Sequence, residues 1–292
     1  MLAARADVTV VTQPDRPAGR GHKLAATPVK TAALALGLPV HTPVALRAFA
    51  DEVRAAAPDR CVVASYGRIV PQVLLDAAPL WLNVHPSQLP LYRGATPIQS
   101  AIRDGATTTA VSIIAMDAGM DTGDLLAQTA PIAIDPHETY GDLHDRLAVI
   151  GATLLGETLD RDASGALTPI TQAAAAIAGG IDADAIARTV TRPWTKADAV
   201  LSPDATATDV VNQIRALAPK PGAQVREPAL KVLRAHAIAA LPDGAVGAED
   251  DLVVTVRGHV YARASDGWVA FDEVVPPGKN AMTMEAYAHG RR

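Results

Sequence analysis

The chain has 292 residues with a formal net charge of −5, 49% hydrophobic and 20% charged residues, one cysteine and only 3% aromatics. That length suits a catalytic domain with a smaller second domain, and the acidic balance excludes a protein that grips nucleic acid by overall charge, so RNA contact would need a local basic patch. One cysteine excludes an internal disulfide, and with no apolar run of membrane-spanning length and no signal-peptide pattern, a cytoplasmic protein without membrane association is expected.

In chain order, Met1-Leu2-Ala3-Ala4-Arg5 reads as the end of a helix and Val8 to Val11 as a short strand. Thr12 to Leu24 follows as a long loop, its prolines excluding a regular strand and its glycines adding freedom. Arg16, Arg20, His22 and Lys23 make it locally positive, although composition alone fits a solvated surface loop equally well. Thr27-Pro28 predicts a capped helix that ends at Gly37. Val40 to Thr42 is a short strand, Arg47 to Ala57 a helix, and Cys61 to Ala64 a buried strand carrying an inert thiol. The apolar run Ala78 to Leu82 then leads into Asn83-Val84-His85-Pro86. Residues two apart share a strand face, so Asn83 and His85 point the same way, and Pro86 holds His85 extended. In open α/β sheets ligands bind at the carboxyl ends of strands.

Thr96-Pro97 predicts another capped helix, and the run Ala110 to Ala115 closes in the carboxylate-rich loop Met116-Asp117-Ala118-Gly119-Met120-Asp121-Thr122-Gly123-Asp124. Ala127 to Ile134 reads as a strand and Glu138 to Leu159 as a long amphipathic helix. This alternation argues for an α/β fold with a mostly parallel sheet. From Asp160 to Lys196 the composition shifts to Ala, Gly, Thr and Pro, the mark of a linker with some helical content. A helix over Ala207 to Leu217 and β runs at 229–233, 252–256, 260–264 and 269–275 predict a small β-rich domain.

Three stretches together carry a family likeness: Asn83-Val84-His85-Pro86-Ser87-Gln88-Leu89-Pro90, Arg93-Gly94-Ala95-Thr96-Pro97-Ile98-Gln99 and the Met116 to Asp124 loop. The chain resembles the folate-dependent formyltransferases over almost its whole length, and within them the enzymes acting on methionyl-tRNA. The resemblance implies a Rossmann-like catalytic domain over residues 1–165, a linker over 166–197 and an OB-like β-barrel domain over 198–292. Pro276-Pro277-Gly278-Lys279 with Met282 fits the family's closing motif. It implies transfer of a formyl group from 10-formyltetrahydrofolate to the α-amino group of initiator methionyl-tRNA, by a monomer. Asn83, His85 and Asp121 match the catalytic positions, and folate is expected along Tyr66 to Pro71 and along Ser87, Gln88, Leu89 and Pro90. The loop with Arg16, Arg20 and Lys23 matches the segment that enters the tRNA acceptor arm, with Arg20 foremost. Gln88 stands where the family usually has leucine, and Lys220 where it usually has tryptophan. The family's first strand and Gly-Thr-Pro loop have no counterpart before Val8. Met1 is therefore expected to be an internal methionine, with a further strand encoded upstream that would lie between the strands at 8–11 and 61–64. A natural shortening in which those two strands pair directly is the alternative.

Formyl transfer asks an amine to attack a formyl carbon, and the negative oxygen that develops needs aimed donors. Asn83 can donate through its amide, and His85, when protonated, can donate and neutralise charge. A nearby carboxylate would fix the imidazole and take a proton from the amine. Spacing alone leaves Asp117, Asp121 and Asp124 equal, each equally readable as a turn residue; only the resemblance selects Asp121. The amine is the nucleophile, so no serine or cysteine is required, and the dispersed histidines make a metal site unexpected. His137 and His144 read as a polar helix face. A formyltransferase or hydrolase acting on glycinamide ribonucleotide or a sugar amine, and a non-catalytic folate- or RNA-binding remnant, are the other readings. The basic loop and the C-terminal β domain favour tRNA, and retention of Asn83, His85 and Asp121 argues against a remnant.

Overall fold

Val10–Val11 (β1) and Val40–His41 (β2) pair in parallel, joined through the Pro28–Ala35 helix. Thr27 caps that helix as expected, its Oγ1 accepting the Lys30 N–H at 3.1 Å ahead of Pro28. A second sheet is built from Cys61–Ala64 (β3), Trp81–His85 (β4), Ser112–Ala115 (β5) and Leu125–Gln128 (β6), in the order β3-β4-β5-β6. β3 and β4 are parallel, whereas β5 and β6 continue the sheet antiparallel. β1 pairs with β2 and β3 with β4, so direct pairing of β1 with β3 is not seen among the described residues. The structure, a computed structural model, describes residues 2–18, 23–225, 228–242 and 253–290.

The chain divides into two compact units, each assembled from separated stretches. Met1–His85, Val111–Thr129 and Val149–Ala183 make one; Pro86–Ala110, Ala130–Ala148 and Asp184–Arg292 make the other. In the first, strand periodicity sorts the two faces of β4. Leu82 joins Ile113, Leu126 and Leu155 in one core cluster, beside Val62 and Val84. Trp81 faces the opposite cluster of Phe49, Ala50, Val53, Leu74 and Ala77, which also takes Val11 and Cys61. Each fully buried aliphatic side chain contributes about 1.5–3 kcal/mol. The Tyr140–Ala163 helix comes close to β4 at Gly151, where a Cβ would lie 3.1 Å from Val84 Cγ1 and 3.3 Å from Val111 Cγ1. Asn83 and His85 share the Trp81 face by the same alternation.

In the second unit the Ala207–Leu217 helix turns Val210, Ile214 and Leu217 inward, the spacing of a single helical stripe. An antiparallel sheet curls around it: Ala223–Val225 (β7), Leu230–Ile238 (β8), Val253–Val256 (β9), His259–Ala264 (β10), Gly267–Val275 (β11) and Met282–Thr283 (β12). The order is β7-β8-β11-β10-β9, with β12 on β11. Val232, Val260, Phe271 and Val274 fill the core. β7 and β9 are not paired among the described residues, so the OB-like barrel is a half-barrel.

Several local expectations change. The Thr12 to Leu24 loop contains an antiparallel ribbon, Arg16–Ala18 on Lys23–Ala25. Proline is compatible with such a ribbon because each strand has one unpaired side, and a nitrogen on that side takes no ladder bond away. Thr96 precedes the Pro97–Arg103 helix, yet its side chain makes no cap hydrogen bond; its Oγ1 donates to Arg192 O at 2.9 Å. The expected strand at 127–134 is two pieces, β6 and Ile132–Ala133, with Pro131 between them and the second piece pairing with Thr108–Thr109. The helical content expected between Asp160 and Lys196 is the Gln172–Gly179 and Ala183–Arg188 helices.

Burial pushes the Cys61 thiol up to about 11. Since the thiolate is the reactive form, Cys61 is expected to alkylate slowly with iodoacetamide near neutral pH and rapidly once the chain is unfolded in urea; mass spectrometry reads both rates.

Candidate active site

β4 delivers Asn83 and His85 from one strand face, and the neighbouring ladder locks their positions. Asn83 lies opposite Val63 on β3 and Ile114 on β5, and His85 lies opposite Ser112. Asp121 arrives from the loop between β5 and β6. Asn83 Nδ2 donates to Asp121 Oδ1 at 3.0 Å, and His85 Nδ1 stands 3.6 Å from Asp121 Oδ2. One carboxylate thus faces an amide through one oxygen and an imidazole through the other. His85 is buried and Asp121 half-buried, so the charge sits where water screens it less than at the surface.

The loop reaches this geometry by tight local packing. Asp121 adopts a left-handed φ of 55°, a conformation that aspartate tolerates better than most residues. At Gly123 a Cβ would fall 1.7 Å from Ala115 O, so only glycine lets the loop pass the end of β5. The other two aspartates are held differently. Asp117 accepts the Gly119 N–H at 2.9 Å and the Thr122 hydroxyl at 2.8 Å, whereas Asp124 is exposed and its backbone oxygen accepts the Ala115 N–H at 2.9 Å. Of the three, the geometry brings Asp121 to Asn83 and His85.

Polar residues outside the three motifs support the loop and strand. Gln128 Nε2 donates at 2.8 Å to the Oγ of Ser112, the register partner of His85. Gln172 Nε2 donates to Asp121 O and to Gly123 O, each at 2.8 Å. A serine inside the apolar Ala110 to Ala115 run signals the first pair. Gln172, 51 residues from Asp121 and set behind a capping threonine, gives no local sign of its role.

The remaining candidate residues lie as follows. Tyr66 O accepts from Gln13 Nε2 at 2.6 Å, and the Tyr66 hydroxyl is buried with no hydrogen-bond partner among the described residues. In the other unit, Ser87, Leu89 and Pro90 are buried, with Ser87 Oγ donating to Leu91 O at 2.8 Å, and Gln88 is half-buried. Arg16 is exposed on the ribbon and Lys23 opens its second strand, whereas Arg20 lies outside the described residues. Among the described residues no group of three or more His, Cys, Asp or Glu could hold a metal, and no helix is long and apolar enough to cross a membrane.

Chemically, the cluster is a donor amide, an imidazole and a carboxylate able to accept a proton, with no serine, threonine, cysteine or lysine among them. Such a set suits an acyl transfer whose nucleophile is the substrate. Comparison with known proteins agrees. A family profile described as formyl transferase covers residues 4–159, and one described as formyl transferase, C-terminal domain, covers residues 193–292. The chain is 40% identical to the methionyl-tRNA formyltransferase of Halorhodospira halophila, over 98% of this chain and 88% of that one. It is 39% identical to the enzyme of that name from Heliobacterium modesticaldum, over 97% of this chain and 89% of that one. Among solved structures it is similar to the N-formyltransferase of Helicobacter canadensis in complex with folinic acid and dTDP-3-aminofucose, with TM-score 0.61, 16% identity and coverage of 89% and 87%. It is also similar to HypX from Aquifex aeolicus in complex with tetrahydrofolic acid, with TM-score 0.59, 15% identity and coverage of 96% of this chain but 47% of that one. At such identities the structural likeness speaks for the fold alone.

Proposed function

The chain belongs to the formyl transferase family, and on that premise we propose that it moves a formyl group from 10-formyltetrahydrofolate to the α-amino group of initiator methionyl-tRNA. The observation that carries this is the meeting of Asn83, His85 and Asp121 in a chain about 40% identical, over nearly its full length, to methionyl-tRNA formyltransferases. The folate supplies the formyl carbon: the α-amino nitrogen bonds to it, its bond to folate N10 breaks, and N10 takes up a proton as tetrahydrofolate leaves. Asn83 and His85 donate to the oxygen on which negative charge develops, and Asp121 orients them and accepts the proton that the amine gives up. In this reading Tyr66 to Pro71 and Ser87, Gln88, Leu89 and Pro90 contribute backbone amides and apolar side chains to folate binding. In this reading residues 1–165 are the catalytic domain, 166–197 a linker and 198–292 the C-terminal OB-like domain. A substrate made for translation initiation makes the cytoplasm the compartment, and a monomer is the form in which the protein acts.

Turnover of charged initiator tRNA against glycinamide ribonucleotide and a nucleotide-linked amino sugar tests the substrate. Formylation of the tRNA alone supports the reading, and preference for either small amine sinks it.

In the same reading Arg16, Arg20 and Lys23 meet the acceptor arm of the tRNA. In this reading their guanidinium and ammonium groups supply the local positive charge that a net charge of −5 cannot. Arg20→Ala is expected to raise KM for charged tRNA roughly tenfold, leave folate affinity unchanged, and lessen the salt dependence of tRNA binding by about 0.7–0.9 in log–log slope. An unaltered salt slope would return the ribbon to an ordinary surface element.

A further inference from the structure

We propose that Gln172 is a positioning residue of the site: its side-chain amide clamps the Asp121–Gly123 backbone and so sets the Asp121 carboxylate against Asn83 and His85. The proposal rests on the reading of Asp121 as proton acceptor and adds a residue from the stretch that the sequence presents as a linker, outside the segment matched at residues 4–159.

Gln172 is 4% exposed. A primary amide has two N–H donors, and here two backbone acceptors, Asp121 O and Gly123 O, each lie 2.8 Å from its nitrogen. The two carbonyls bracket the segment in which Asp121 takes its left-handed φ of 55°. Such a conformation in a non-glycine residue persists where the surroundings over-determine it. Gln172 itself is held to the sheet. Leu125 N donates to Ile170 O at 2.8 Å and Ile170 N to Leu125 O at 2.9 Å, so Ile170 is bridged to β6 two residues earlier. Thr171 then caps the Gln172–Gly179 helix, its Oγ1 accepting the Ala174 N–H at 3.2 Å. Sheet, bridge, cap and amide form one continuous path from β6 back to the loop that β6 follows. A misplacement of about 1 Å at a reacting group can cost on the order of 100-fold in rate, so an amide fixing the Asp121 backbone has leverage on chemistry without touching substrate.

The test uses the full chain with charged tRNA and a formyl-folate donor. Gln172→Met, which keeps length and loses the donors, is expected to lower kcat by about 10- to 100-fold with both KM values within about twofold of wild type. In the Asp121→Asn background the same substitution should cost no further rate, since Gln172 acts through Asp121. Gln172→Glu places an acceptor before two acceptors and regains one donor on protonation, so its kcat relative to wild type should rise as the pH is lowered. Hydrogen exchange should quicken at Asp121 to Gly123 in both variants with the rest of the chain protected as in wild type; quickening spread over the whole chain would mark general unfolding and overturn the local clamp. Unchanged kcat in Gln172→Met beside a disabled Asp121→Asn overturns this proposal alone. Rate loss that persists in the Asp121→Asn background overturns it as well. An unimpaired Asp121→Asn overturns the reading of Asp121 and this proposal with it.

Discussion

Asp121→Asn is expected to lower kcat for formyl transfer by about 10²–10⁴ while leaving the unfolding transition nearly in place. The substitution keeps the side chain's shape, and its oxygen can still accept from Asn83 Nδ2, now 3.0 Å from Asp121 Oδ1. What disappears is the negative charge beside His85 and the oxygen able to take a proton from the attacking amine. Asn83→Ala and His85→Ala, which remove donors to the developing oxyanion, are each expected to cost about 10²–10³ in kcat. Combined variants should fall little below the worst single one, because the three groups act as a unit. Asp117→Asn is the control. Its carboxylate is occupied by Gly119 N–H and the Thr122 hydroxyl, so its loss should loosen the loop and cost far less. Single-turnover rates with charged tRNA, read beside urea unfolding curves, decide the matter. A near-normal Asp121→Asn would remove the carboxylate from the chemistry altogether.

Gly123→Ala should give the largest effect from a single added methyl. The new Cβ would stand 1.7 Å from Ala115 O and 2.9 Å from Ala115 C, and both are backbone atoms at the end of β5. No rotamer change can relieve that contact, so the loop itself must move and carry Asp121 with it. Overpacking of this kind typically costs about 1–3 kcal/mol, and displacing Asp121 by about 1 Å costs on the order of 100-fold in rate. At Gly119 the obstacle is different. A Cβ there meets Thr122 Oγ1 at 1.9 Å, a side chain that can rotate at the expense of its bonds to Asp117. Gly119→Ala is therefore expected to keep more activity than Gly123→Ala, measured as kcat and as urea midpoint. The reverse order would mean that the passage past Ala115 does not set the position of Asp121.

How far the site was legible in sequence depends on the range of the contact. Asn83 and His85 are readable as a pair because strand period is two and Pro86 keeps the strand's last residue extended. Asp121 is not selectable from spacing, since Asp117 and Asp124 offer the same carboxylate within four residues; family likeness had to choose, and the left-handed turn between Gly119 and Gly123 explains the choice physically. Gln172 was invisible because its partners are backbone carbonyls about fifty residues away, with no compositional trace. The helices at 28–35 and 207–217 announce themselves through threonine caps and an apolar stripe. The opening of the barrel does not, because closure depends on whether β7 finds β9, a pairing of distant segments.

The second unit's patchwork composition has a consequence for the order in which the protein is made. Ile98, Ala101 and Ile102 on the Pro97–Arg103 helix are buried, and that helix packs against the Ala207–Leu217 helix. Its partner is synthesised roughly a hundred residues later, which at about 5–20 residues per second leaves on the order of 5–20 s between the two. During that interval the apolar side chains of Ile98, Ala101 and Ile102 await the helix they pack against, and seven residues are too few to hold a helix alone. The ribosome thus releases the second unit's opening segment long before the unit can close, and that window is when the chain is most open to chaperones or to its own neighbours on a polysome.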